Sequence, residues 1–250
     1  MHLKVTLITL VALFGYCPAI HAENEPIKRI VFRTLTLEGS AGKIAYANNG
    51  KGSEAEHVVA RSYRRSKFYT YEGNPNLIFY KQENPGDRIV TIEEAQHAKE
   101  NGQQLTATPI AGSVNIADAP VAHGLIVLQQ NQDGSINAFA MDESSDKFPE
   151  GTIRIVNLTG EKLGAMINDQ KVILPAGTMK LVDTTVQGLH VRIGLNRDGE
   201  VKAVLSRMFP FQKGQRALIV LQPGDDKGKT PKITVVKDNH LLVSNYLKRQ

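Results

Sequence analysis

Between Ala60 and Tyr71 the chain reads ARSYRRSKFYTY, with four cations (Arg61, Arg64, Arg65, Lys67) and four rings (Tyr63, Phe68, Tyr69, Tyr71) in its last eleven residues. In an extended chain the two-residue period puts Arg61, Tyr63, Arg65, Lys67, Tyr69 and Tyr71 on one face. Cations interleaved with rings suit phosphate, sulfate or uronate groups carried beside a flat sugar or base. The expected binding residues are therefore Arg61, Tyr63, Arg64, Arg65, Lys67 and Tyr69. The alternative, which needs fewer assumptions, is a solvated strand whose rings cover a sheet and whose bases keep its edge from pairing.

Other motifs carry less chemistry. GDDKGKT (224–230) follows the apolar run ALIVLQ and looks like a phosphate loop. Only three residues separate Gly224 from Gly228, where that loop needs four, and Pro231 with KITVV follows where it needs a helix. A hairpin turn is expected instead, and no nucleotide. The histidines beyond the first 22 residues (His57, His97, His123, His190, His240) show no metal-ligand spacing, and no Gly-x-Ser-x-Gly elbow is present. MDESSD (141–146) lacks the carboxylate alternation of a calcium loop and is expected to be a polar linker. NLT (157–159) matches a glycosylation sequon, but Asn157 is expected to end a strand. No catalytic residue, metal site or cofactor is expected.

Lys4, the apolar stretch VTLITLVALFGY and small Ala22 have the layout of a secretory leader cut near Ala22. The apolar stretch is shorter than the roughly 20 residues that cross a bilayer. The expected protein is exported, periplasmic or secreted, with no transmembrane segment in the mature chain. Cys17 is the only cysteine, so a chain cut there has no disulfide and must rest on its apolar core. Of the 30 Lys and Arg only Lys4 falls in the leader, so the remainder exceeds the 25 acids by four. That excess is too mild to indicate nucleic acid.

These residues must be positioned by β-structure. Short apolar runs such as RIVFRTLTL, NLIFYKQ, GLIVLQQ, TIRIVNL and LHVRIGL alternate with turn dipeptides Asn49-Gly50, Asp133-Gly134 and Asp198-Gly199. The pentapeptide LIVLQ occurs at 125–129 and again at 218–222, each time followed by a polar turn and a strand. Upstream, 29–51 parallels 152–171 and NLIFYKQ stands opposite LHVRIGL. The expectation is all-β, two tandem antiparallel β-sandwich (Ig-like) domains at 26–143 and 150–239, joined by DESSDKFPEG (142–151), with a tail at 240–250. The second copy of the basic segment, GTMKLVDTTVQG (177–188), has lost this interleaved cation–ring character. One segment, 86–104, has no counterpart. Thr91 with Glu94 makes a capping box and Gly102 a stop, which predicts a helix over 92–101.

Phe148-Pro149-Glu150-Gly151, Asn157-Leu158-Thr159 and Leu174-Pro175-Ala176-Gly177 resemble a pattern of uncharacterised exported bacterial proteins, as does RSYRRSK (61–67). The resemblance implies a tandem β-sandwich and brings no activity or catalytic residue. The expected function is a non-catalytic exported binding or structural protein of the bacterial cell envelope, engaging an anionic polysaccharide or another envelope protein. The alternative is a hydrolase of an envelope polymer whose residues are scattered through the chain.

Overall fold

In the computed structural model the described residues are 27–48, 55–84, 86–117, 123–184, 188–197, 200–212, 214–224 and 230–238. The expected leader and C-terminal tail lie outside them, as do Asn49-Gly50, Asp198-Gly199 and most of the GDDKGKT loop. The first half carries β1 (Lys28–Thr36), β2 (Ile44–Ala47), β3 (Ala55–Val58), β4 (Tyr69–Gly73) and β5 (Asn76–Lys81). It continues with α1 (Ile92–Glu100), β6 (Ile110–Asn115), β7 (His123–Gln130) and β8 (Ile136–Asp142). The second half carries β9 (Thr152–Asn157), β10 (Leu163–Ile167), β11 (Gln170–Leu174), β12 (Met179–Asp183) and β13 (Leu189–Arg197). It closes with β14 (Glu200–Phe209), β15 (Arg216–Gln222) and β16 (Lys232–Asp238).

The fold is all-β, with two four-stranded sheets in each half. Their orders are β4-β1-β7-β8 and β3-β2-β5-β6, then β12-β9-β15-β16 and β11-β10-β13-β14. Adding eight to each strand number of the first half gives the second. The sequence repeat is thus also a repeat of strand order. Neighbouring strands run antiparallel except β1 with β7 and β9 with β15, which are parallel. That departs from the wholly antiparallel expectation. Strands β2 to β6 lie between β1 and β7 in sequence, and this long crossover lets the two run the same way.

Both copies of LIVLQ occupy a central strand, and both faces of that strand are covered. Ile126 and Leu128 point into the core shared with β2, β4 and β5, beside Phe32, Tyr46 and Phe79. Ile219 and Leu221 do the same in the second half with Leu163, Val191 and Ile193. The alternate residues Leu125, Val127, Leu218 and Val220 meet in a third core with Leu35, Val156 and Val236, where the two halves pack together. The sheets therefore stack in four layers with the LIVLQ sheets inside. A strand buried on both faces reads as a continuous apolar run rather than an alternating one.

Turn chemistry follows the sequence. The Asp133-Gly134 turn joins β7 to β8 with Gly134 at φ +77° and Asp133 accepting from the Ser135 N–H. Strands β15 and β16 pair from Gln222↔Lys232 inward, so the glycine loop closes a hairpin. Asn157 is buried at the end of β9. Its Nδ2 donates to the Glu161, Leu174 and Pro175 carbonyls and its Oδ1 accepts from Thr159, so the sequon is a structural knot that ties the LPAG turn.

Helix α1 begins where the capping box places it. The Thr91 hydroxyl accepts from the Glu94 N–H and the Glu94 carboxylate accepts from the Thr91 N–H. Gly102 follows the C-cap Asn101 at φ +74°. The segment around this helix lies over the outer face of β3-β2-β5-β6, where Ile89 packs on Ala45, Ala47 and Tyr80.

Gly112 on β6 approaches the other sheet so closely that a Cβ would stand 2.2 Å from the Ile136 carbonyl oxygen of β8. Backbone on both sides would have to move. Gly112→Ala is therefore expected to destabilise by about 1–3 kcal/mol, measured by urea denaturation, whereas Gly160→Ala, with open space around it, serves as a near-neutral control.

Candidate functional site

Six ionised side chains converge at the junction of the halves. Three arginines come from central strands, Arg33 on β1, Arg154 on β9 and Arg216 on β15, and Arg65 comes from the segment before β4. The acids are Glu143, just past β8, and Asp238, the last residue of β16. The register explains the convergence. Arg33 pairs with Leu125 and Arg154 with Leu218, the same position of the two pentapeptides. Leu125 pairs with Met141 and Leu218 with Val236, each two residues before an acid. Arg33 and Arg154 are thus equivalent, as are Glu143 and Asp238.

The bonds cross between halves. Arg33 Nη2 donates to Glu143 at 2.7 Å and to Asp238 at 2.9 Å. Arg65 Nη2 donates to Glu143 at 2.7 Å, and its Nε lies 3.8 Å from Asp238. Arg216, fully buried, donates to Asp238 at 2.6 Å and to the Glu143 and Phe148 carbonyls, and its guanidinium lies over the Phe148 ring. Arg154 lies 4.5 Å from the same ring and donates to the Asp142 and Lys147 carbonyls.

Burial by itself would raise the pKa of both carboxylates. Attraction to Arg65 and Arg33 outweighs it, with hydrogen bonds from Arg33 and Arg216 also acting on Asp238, and both pKa values are lowered. Arg33 shows the reciprocal effect: burial lowers its pKa, and Glu143 and Asp238 raise it by more. His123 is half-buried beside them, and burial together with Arg33 lowers its pKa.

The structure places the six expected binding residues in different environments. They do not form one extended face: Tyr63 sits at φ +60°, and Arg61 and Arg64 bridge across it in a tight turn. Arg65 is consumed in the buried cluster, and Tyr69 is buried, its hydroxyl oxygen accepting from the Val59 N–H. Tyr71 is buried as well. Lys67 is exposed, lies 4.9 Å from the Tyr69 ring centroid and 3.6 Å from Glu56. Arg61, Tyr63 and Arg64 remain on the surface. The physical reason is that the segment is stitched to the end of β1, through Thr36 N–H to the Arg61 carbonyl and Tyr63 N–H to the Thr36 carbonyl. Beyond this ladder Arg65 turns to Glu143, and Tyr69 and Tyr71 enter the core of the first half.

The expected polar linker joins β8 to β9 and is only partly solvated: Ser145, Asp146, Lys147 and Glu150 are exposed, while Glu143 and Phe148 are buried at the junction. The sequence did not single out Arg33, Arg154, Arg216 and Asp238, and Glu143 entered only within the MDESSD stretch weighed as a calcium loop. The signal available was a lone arginine embedded in apolar strand residues, as in VFRTL, TIRIV and QRALIV.

On the outer face of the fourth sheet, His190 Nε2 lies 2.9 Å from the Ser206 hydroxyl, and Arg192 lies 3.4 Å from His190 Nδ1. A general base needs an acceptor at Nδ1 to stabilise the imidazolium; a guanidinium there opposes that charge. Among the described residues no three His, Cys, Asp or Glu side chains are grouped to hold a metal, and no helix is long and apolar enough to cross a membrane. No protein-family model matches this chain, and no curated protein matches it in sequence.

Removing one partner of a buried, hydrogen-bonded pair leaves an uncompensated charge. Glu143→Gln is expected to cost about 3–5 kcal/mol, read by chemical denaturation. The pH dependence has a definite sign. Both carboxylates titrate below their ordinary values of 4.5 and 3.8, so their contribution is present above those values and lost as pH falls through the folded ones. Glu143 also raises the pKa of His123 against burial, so the advantage of the wild type in melting temperature over Glu143→Gln should be constant above about pH 7, where His123 is neutral in both proteins, and shrink below about pH 4.

Proposed function

We propose that this chain is a non-catalytic exported binding protein of the bacterial cell envelope, a stiff two-sandwich body that presents the Arg61–Arg64 turn to an anionic polymer such as an acidic polysaccharide. The observation that carries the reading is the turn itself. Arg61 and Arg64 stand directly opposite each other, exposed, with Tyr63 in the left-handed region between them. Like charges opposed across a strand pair are destabilising, and a non-glycine residue at positive φ costs of order 1–3 kcal/mol. No ion pair joins Arg61 or Arg64 to another described residue. A sulfate, phosphate or uronate bound between the two guanidinium groups would offset the repulsion with charge-assisted hydrogen bonds. The rooting of the turn through Arg65 supports a prepaid geometry, since the turn cannot swing without breaking the buried cluster. The leader-like layout of the first 22 residues supports export.

The test is retention on an anionic matrix such as heparin resin. The Arg61→Ser/Arg64→Ser variant should elute with the unbound fraction while keeping its melting temperature, because surface substitutions shift stability by no more than about 0.5 kcal/mol. Wild-type retention should collapse between low and moderate salt, with a Debye length of about 8 Å at physiological ionic strength. Arg65→Ser should instead lower the melting temperature. Undiminished retention of the folded double variant would overturn the reading.

A further inference from the structure

The two halves differ most at their outermost sheets. In the first half the outer face of β3-β2-β5-β6 presents Ala45, Ala47, Ile78 and Tyr80, and the segment bearing α1 covers it. Ile89 is the apolar anchor of that cover, and Glu93 and Glu94 lie close enough to Tyr80 to raise its pKa, after burial, which is the larger cause. In the second half β13 and β14 pair as a hairpin with no inserted segment between them, and among the described residues no helical segment covers the equivalent face.

Register shows what that open face carries. Lys171, Met166, Arg192 and Ser206 form one row across β11, β10, β13 and β14. Ile173, Gly164, Gly194 and Ala203 form a second, and His190 with Met208 a third. By the shared register Gly194 stands where Tyr80 stands and Arg192 where Ile78 stands. Met208 is 68% exposed and Ile173 57%, while Lys171 and Arg192 are exposed cations. No acid is among the paired residues of these rows; Asp169 stands in the β10–β11 turn, next to the Asn168 that bonds His190. Exposed apolar side chains grouped with one sign of charge mark an interaction surface.

We propose that the outer face of β11-β10-β13-β14 docks an acidic peptide segment of a partner protein that carries an apolar anchor. The chemistry of the occupant follows from two features. The cations Lys171 and Arg192, with no acid in the rows, call for a negative partner. The face in the same position of the first half is covered by a segment of that kind, an apolar Ile89 followed by Glu93 and Glu94. Met166 and Ile173, on the adjacent strands β10 and β11, would receive the anchor, Met208 on the opposite edge strand would meet the rest of the segment, and the cations would meet the carboxylates. This surface is separate from the Arg61–Arg64 turn and does not depend on the function proposed for it.

The chain supplies its own reporters. Among its methionines, Met166 and Met208 lie on this face, Met141 is buried in the core between the halves, and Met179 is on β12 of another sheet. The whole protein, labelled at the methionine methyls, is titrated with a synthetic peptide of residues 86–104, the covering segment of the first half. Met166 and Met208 resonances are expected to move saturably while Met141 and Met179 stay in place. Lys171→Glu/Arg192→Glu should weaken binding by at least about tenfold, with folding verified by an unchanged Met141 resonance; if that variant does not fold, Lys171→Ala/Arg192→Ala replaces it. A peptide with Ile89→Asp should bind as weakly. The proposal is overturned by unmoved Met166 and Met208 at millimolar peptide, or by equal binding to the charge-reversed face. It also fails if the same resonances move on dilution without peptide, which would make the face a contact between copies of this chain. Movement with phosphatidylserine vesicles but not with peptide would equally sink it.

Discussion

Six charges withdrawn from water at the junction of two sandwiches constrain everything else in this protein. Arg33, Arg65 and Arg216 surround Glu143 and Asp238, and every one of the bonds between Arg33 and Asp238 or Arg216 and Glu143 ties one half to the other. Buried charge is tolerated only with near-complete hydrogen bonding, so the cluster admits little latitude in how the halves meet. An apolar interface could slide. This one has a register, because a shift of one residue would bring Phe32 or Thr34 where a guanidinium is required on β1, and the cation Lys237 where a carboxylate is required on β16.

The rest of the interface follows from the same alternation. Position by position, β1, β7, β15 and β9 send one set of side chains into their own sandwich and the other set into the shared core. Equivalent residues of the repeat face that core from both sides, Leu125 and Val127 from one and Leu218 and Val220 from the other. The halves therefore meet through the same surface of each. The charges obey the same equivalence, since Arg33 corresponds to Arg154 and Glu143 to Asp238. The symmetry breaks at Arg65, which has no counterpart and adds a third guanidinium on the Glu143 side.

That break links structure to proposed function. A basic segment with several cations can hold some of them only if carboxylates pair with the rest, and burying Arg65 fixes the chain on either side of it. The cations that remain, Arg61 and Arg64, are held against each other at the surface instead of spreading apart in solvent. The second departure from symmetry lies at the far ends of the stack. One outer sheet is covered by the chain's own helical segment, and the other displays cations and apolar side chains that nothing in the described residues covers.

The sequence alone was sufficient for whatever depends on neighbours along the chain. Period-two runs and turn dipeptides specified strands, Thr91 with Glu94 specified the start of α1, and the spacing of GDDKGKT excluded a phosphate loop in favour of the β15–β16 hairpin. The repeated LIVLQ also pointed to a repeated order of strands, because strands buried on both faces need the same continuous apolar run. What tertiary structure decided was the fate of individual charges. Nothing local distinguishes Arg65, buried against Glu143, from Arg64 one residue earlier, exposed on the turn. The partners lie 78 and 173 residues away, and only the packing of one half on the other brings Glu143 and Asp238 to the same guanidinium. A charge's environment is a property of long-range contacts, and short-range sequence patterns carry no record of it.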